Sequence, residues 1–125
     1  MRRTSQKNRC AKISLDKNQQ ICRCHDKLME AYARQLNTDE NVSEFSMNIP
    51  LDFKKTALPS DLPAPPTSHM SDFLIKKTDG TMAVRECVFR HILPRQSVID
   101  LLQLSLEYWY QQGVTDWGIV IEKEA

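Results

Sequence analysis

Long apolar runs are missing from this sequence of 125 residues, and no uninterrupted apolar stretch approaches the ~18 residues that a membrane-spanning helix needs. After the basic start, positions 4–9 read TSQKNR, so the apolar segment of a secretory signal is missing as well. Glycine and proline are scarce, at three and six residues. We therefore expect neither a membrane-spanning nor a secreted protein, and not a wholly disordered chain. The length suits one domain.

The two ends of the chain differ in charge, although the net charge is only +1. Residues 1–27 contain eight basic and two acidic side chains, whereas the remainder contains nine basic and fourteen acidic ones. A basic segment of this kind can contact nucleic-acid phosphates independently of base sequence. Residues 1–24 are accordingly predicted to form a basic flexible arm, and its two open interpretations are nucleic-acid binding and a solvated leader.

Cysteine occurs only four times, and disulfides are not expected without a secretory signal. Cys10, Cys22, Cys24 and His25 supply the number of ligands that tetrahedral zinc needs. Their spacing lacks the paired C-x2-C arrangement of most structural zinc sites. Free thiols, including Cys87, are therefore predicted, with zinc as the weaker alternative.

The first half of the chain contains one helical and one extended pattern. Apolar residues at helical spacing predict a helix over His25–Leu36. Alternating apolar residues from Val42 to Ile49 predict an extended segment that stops at Pro50. Four prolines within Leu58–Thr67 exclude a regular helix or a central strand there, so this stretch is expected to be a loop.

The second half reads as strand, turn, strand, helix and strand. The predicted elements are the strand Asp72–Lys77, the turn at Asp79 and Gly80, the strand Met82–Phe89, a helix from Ser97 to Gly113, and the strand Trp117–Glu122. Ser97 is predicted to cap the helix, with Asp100 completing a capping box and Gly113 following the last turn. A strand–helix–strand order predicts a crossover connection in a mixed sheet, and hence an α/β domain.

Acidic residues in the paired strands are candidates for metal binding. Asp72 opens one strand of the predicted hairpin and Glu86 lies in the other, so their carboxylates could meet near one end of the sheet. Glu30, on the early helix, could add a third oxygen. Hard oxygen ligands suit Mg²⁺ or Mn²⁺. The alternative is purely structural, with Asp72 starting a strand and the other two acids facing solvent.

Three segments carry a resemblance to a known family: DFLIKKTDGTMAVRE at 72–86, LEYWYQQGV at 106–114 and DWGIVIEKE at 116–124. They resemble the N-terminal catalytic domain of the TnsA endonuclease of heteromeric transposases. The similarity extends upstream, where Glu30 precedes Asp39 and Val42 at the family's spacing and Asn48 stands where the family often has Gln. It covers about residues 27–124.

The resemblance implies a restriction-endonuclease-like fold, a mixed sheet flanked by helices, over residues 25–125 of a bacterial cytoplasmic protein. It also implies that Glu30, Asp72 and Glu86 bind Mg²⁺ (or Mn²⁺) and support cleavage of one DNA strand at each transposon end. The implied partners are transposon-end DNA, a separate transposase subunit and an ATPase regulator.

Two departures from the family pattern affect the expected chemistry. Val88 stands where the family places a lysine that orients the attacking water, and Ser105 replaces an acid that some members carry. A cation could have moved to Arg90, which has the strand parity of Glu86, or to Lys76, and Arg90 is the predicted fourth catalytic residue. The alternatives are an inactive subunit that binds DNA or protein in a transposition complex, and an unrelated α/β binding protein.

Overall fold

The computed structural model describes residues 11–18, 22–55, 58–66 and 68–123. In chain order the elements are β1 (Ala11–Ile13), β2 (Cys22–Cys24), α1 (Lys27–Thr38), β3 (Val42–Pro50), a turn of 3-10 helix (Phe53–Lys55), β4 (Met70–Lys77), β5 (Met82–Cys87), α2 (Gln96–Gln111) and β6 (Asp116–Val120). The expectation of an α/β domain with a mixed sheet flanked by helices is thereby confirmed. Within the described residues, no helix is both long and apolar enough to cross a bilayer.

The main sheet has the order β3-β4-β5-β6. Its first three strands are antiparallel, and β6 returns parallel to β5 after α2. The predicted turn joins β4 to β5: Gly80 has a φ of +90°, and the Lys77 N–H donates to the Thr81 carbonyl at 2.8 Å. A left-handed φ favours glycine at this point, because it has no Cβ to clash.

Helix α1 covers one face of the sheet. Asp26 caps it, since its Oδ1 accepts a hydrogen bond from the Met29 N–H at 2.8 Å. Tyr32 packs edge-on against Phe73, with ring centroids 5.1 Å apart. The buried cluster between α1 and the sheet comprises Cys24, Met29, Ala33, Leu36, Val42, Phe45, Phe73, Ile75 and Ala83.

Helix α2 packs against the opposite face of the sheet, where Leu104 and Trp109 form a buried cluster with Val84 of β5. The prediction that Ser97 caps this helix is wrong: α2 begins at Gln96, and Arg95 is its N-cap without a side-chain hydrogen bond. The chain enters the helix directly from a turn, so the Arg95 carbonyl already accepts from the Val98 N–H. The prediction that Gly113 follows the last turn of this helix is confirmed, and its φ is +88°.

Part of the segment predicted as a basic arm packs onto the domain. Strands β1 and β2 form an antiparallel pair, and Ile13 and Leu15 contact the core beneath α1. The Lys17 ammonium donates to the Asp39 carbonyl at 2.6 Å, and the Lys17 carbonyl accepts from the Phe45 N–H at 3.1 Å. Positions 1–10 and 19–21 of the predicted arm lie outside the described residues.

Candidate functional site

The two central strands separate at one end of the sheet. The ladder between β4 and β5 stops at the pair Phe73 and Arg85, although β4 pairs with β3 as far as Met70 and β5 pairs with β6 as far as Cys87. We call this opening the fork. The next residues beyond the last pair are Asp72 on β4 and Glu86 on β5, so the hairpin register brings two carboxylates into the fork.

Each carboxylate binds a backbone N–H that the ladder leaves open. Glu86 Oε1 accepts from the Asp72 N–H at 2.9 Å, and Asp72 Oδ2 accepts from the Cys87 N–H at 2.8 Å. Unpaired backbone donors are costly inside a protein, so these contacts hold both side chains in place. Asp72 Oδ1 has no hydrogen-bond partner among the residues that the structure describes.

A buried polar network fixes the second oxygen of Glu86. The hydroxyls of Ser71 and Ser105 donate to Glu86 Oε2 at 2.7 and 2.5 Å. The Trp109 indole donates to the Ser71 hydroxyl at 2.8 Å, and the Trp117 indole donates to the Ser105 hydroxyl at 3.1 Å. Because an indole N–H can only donate, each serine oxygen accepts from an indole while its own hydroxyl donates to the carboxylate. The network therefore fixes the orientation of the Glu86 side chain.

This network was not predicted from the sequence. Its clearest sequence signal lies in α2, where Ser105 and Trp109 are four residues apart and so share a helix face. The hydrogen bonds of Ser71 depend on how β4 packs against α2, which no local sequence pattern predicts. Ser105, one of the two departures from the resembled family, thus contributes to the network as a donor.

The electrostatics of the fork are dominated by repulsion. Burial, the largest cause, and the neighbouring Glu86 charge raise the pKa of Asp72 to about 7, with a smaller contribution from Asp26. The hydrogen bond from the Cys87 N–H lowers the pKa of Asp72, and no basic side chain among the described residues lowers it. Burial also raises the pKa of the Cys87 thiol. The carboxyl groups of Asp72 and Glu86 therefore share a poorly solvated space without a compensating cation.

The third predicted ligand, Glu30, lies elsewhere. Its carboxylate forms an ion pair with Arg34 at 3.1 Å on an exposed part of α1. The carboxylate of the α1 region whose charge reaches Asp72 is the cap residue Asp26. Across residues 11–18, 22–55, 58–66 and 68–123, no three His, Cys, Asp or Glu side chains form a group that could hold a metal ion. The structure thus brings Asp72 and Glu86 together, but not Glu30.

Val88 lines the same space as the two carboxylates, a cavity of about 130 Å³. Its side chain is 7% exposed, and its N–H donates to the Val120 carbonyl at 2.9 Å. The cavity also contacts His69, Met70 and Cys87, and Val98, Leu101 and Leu102 of α2 close it. Such a volume holds only a few water molecules, at ~30 Å³ each.

The proposed substitute cations do not approach this cavity. The Arg90 N–H donates to Glu122 Oε1 at 2.8 Å, and its Nε donates to the Glu122 carbonyl at 3.3 Å. Strand parity does not extend to Arg90, because β5 ends at Cys87. Lys76 lies 3.9 Å from the Glu44 carboxylate on an exposed surface.

Two of the cysteines can be located in the structure. Cys24 and Cys87 are not joined in a disulfide within the described residues. Cys24 is buried within the core beneath α1, whereas the exposed His25 ring contacts Asn48 Oδ1 at 3.0 Å. These two predicted zinc ligands therefore face different surroundings. Cys10 lies outside the described residues.

Comparison with known proteins gives no further assignment. No family model matches the chain, and no curated protein is significantly similar to it.

Proposed function

We propose that this chain is a metal-dependent DNA endonuclease subunit of a heteromeric transposase, acting at transposon ends, with a restriction-endonuclease-like arrangement of the sheet. The observation that carries the proposal is the pair of carboxylates, Asp72 and Glu86, in the fork between two central strands. They lie in a small cavity that no lysine or arginine lines among the described residues. The resemblance of the three quoted segments to the TnsA endonuclease supports the same activity.

The donor set fits Mg²⁺ or Mn²⁺. Asp72 Oδ1 is an acceptor without a hydrogen-bond partner in the described part of the chain, and Glu86 Oε1 receives a single donor. Mg²⁺ is often held by one or two carboxylates together with water and substrate phosphate oxygens. Two carboxylates are therefore sufficient, and a third protein ligand such as Glu30 or Asp26 is not required.

The protein's own residues position the reaction. The serine and indole donors prevent Glu86 from rotating, and the Cys87 N–H does the same for Asp72. Apolar side chains line part of the cavity, which lowers the local polarity and strengthens charge interactions at a phosphate. A bound divalent cation would activate water and neutralise charge on the scissile phosphate.

A second candidate function is an inactive subunit that binds DNA or protein in the same complex. The observation that favours it is Val88, whose buried apolar side chain occupies the cavity where the resembled enzymes place a lysine. An alkyl group can neither orient water nor stabilise a charged phosphate. The two candidates make different predictions for cleavage.

We expect the wild-type chain to nick DNA slowly in Mn²⁺ and Asp72→Asn to abolish nicking, since the amide removes the negative charge. The measurement uses supercoiled plasmid, with and without a transposase subunit if one is encoded nearby. The matched control is Asp61→Asn, which removes an exposed carboxylate from the proline-rich loop. Absence of metal-dependent nicking, together with DNA binding, would select the inactive subunit instead.

We expect residues 2–10 to supply salt-sensitive DNA affinity, because they contain Arg2, Arg3, Lys7 and Arg9. Deleting them should make the negative slope of log K against log salt shallower by up to ~3.6, at ~0.9 for each of four phosphate contacts. Truncation before Ala11 spares β1. Fluorescence anisotropy at several salt concentrations measures the slope. A full-length variant with the four cations changed to Gln separates charge from length, and an unchanged slope in both would make the segment a leader only.

A further inference from the structure

His69 connects the carboxylate pair to the molecular surface. It lies just before β4 and lines the 130 Å³ cavity that also contacts Asp72, Glu86 and Val88. It also lines a cleft of about 870 Å³, bordered by the 3-10 turn and the proline-rich loop. The imidazole therefore lies where an incoming DNA strand and a cavity water could both reach it.

The orientation of the His69 ring is defined by its neighbours. It stacks on Phe53, with centroids 6.3 Å apart and planes inclined by 17°. Phe53 is itself buried and held edge-on by Tyr108 at 5.8 Å. A half-buried ring on an aromatic support loses little freedom when it forms a catalytic hydrogen bond.

The surroundings of His69 favour its neutral form. Burial lowers the pKa of His69 by more than the neighbouring Glu86 carboxylate raises it. The other basic side chains considered for this role, Arg90 and Lys76, contact Glu122 and Glu44 instead.

We propose that His69 is a further catalytic residue, the general base that takes the place of the lysine replaced by Val88. This inference rests on the proposed endonuclease activity. The attacking water transfers one proton to an imidazole nitrogen, and its oxygen forms a new bond to phosphorus. The phosphorus–oxygen bond to the leaving nucleoside breaks, and that oxygen takes up a proton from solvent. No oxidant or further reactant is needed.

The test is a four-variant comparison of nicking rates in Mn²⁺: wild type, His69→Ala, Val88→Lys and the double variant. His69→Ala should lower the wild-type rate by ~10²-fold, the lower end of what a general base supplies. In the Val88→Lys background the same change should cost only a few-fold, because the lysine then orients the water. Added imidazole should restore part of the rate of His69→Ala. His91→Ala, which removes an exposed histidine that lines neither the cavity nor the cleft, is the matched control.

Two measurements without turnover separate catalysis from folding. His69→Ala should retain the wild-type rise in Tm with Mn²⁺ and the wild-type DNA affinity. An equal loss of rate in both backgrounds, or no rescue by imidazole, would show that His69 acts only structurally and would overturn the inference. Activity in Val88→Lys but none in the wild type would also overturn it while leaving the nuclease site intact. Inactivity of every variant would reject the proposed function and this inference with it.

Discussion

Val88→Lys should increase the rate of metal-dependent DNA nicking more than tenfold, within the ~10²–10³-fold range that one well-placed donor supplies. The reason is the position of Val88 on the wall of the cavity that holds Asp72 and Glu86. A lysine there would place its ammonium beside both carboxylates, in a cavity that no lysine or arginine lines among the described residues. It would also restore the Glu-x-Lys spacing of the resembled family.

The matched control for this experiment is Val88→Met, which lengthens the side chain without adding charge. Circular dichroism melts should show that both variants fold. Arg90→Ala should leave the nicking rate unchanged, because Arg90 contacts Glu122 away from the cavity. A rate that falls in Val88→Lys and also in Arg90→Ala would assign the missing cation to Arg90 and contradict our interpretation of the fork.

The free energy of unfolding, measured in EDTA, should decrease as the pH rises from about 4 to about 7. Asp72 has a pKa of about 7 in the folded state, above the value of 3.8 that describes the unfolded chain. The folded state therefore binds the extra proton across this window, and the stabilisation is complete below pH 4 and lost above pH 7. At ~1.4 kcal/mol per pH unit and allowing for solvent screening, we expect a loss of about 2 kcal/mol.

Asp72→Asn isolates this contribution, because the amide oxygen can still accept from the Cys87 N–H but cannot ionise. Urea titrations at pH 4.5 and 8 should show wild type losing more stability than the variant between these values. Above pH 7 the variant should be the more stable protein. Identical pH dependence in both would mean that Asp72 is not repelled by Glu86 and that the fork is better solvated than its contacts indicate.

Much of the fold could be predicted because its signals are local. The Asp79–Gly80 turn specifies the β4–β5 hairpin, and the two periodicities identify α1 and β3. The predicted start of α2 was wrong. Ser97 has a good capping side chain, but the turn preceding the helix already supplies the first carbonyl from Arg95, so the serine is left inside the first turn.

The candidate site was only partly predictable. Strand register sufficed to pair Asp72 with Glu86, since both lie just beyond the last ladder pair. The serine and tryptophan donors around Glu86 depend on the packing of α2 against the sheet, which has no sequence signature. His69 was not singled out from the sequence, because its proposed role depends on a cavity and on the Phe53 ring. Glu30 and Asp26 are one helical turn apart, so spacing alone could not show which carboxylate approaches Asp72.

The most direct test of the central claim is the thermal melt of wild type and Asp72→Asn at pH 8, in EDTA and in millimolar Mn²⁺. A ligand that binds only the folded state raises Tm, and relief of carboxylate repulsion adds to the effect. The account predicts a clear rise in Tm for wild type and none for Asp72→Asn. A wild-type Tm that is the same in Mn²⁺ and in EDTA would show that the Asp72–Glu86 pair does not bind a divalent cation, and would contradict the account.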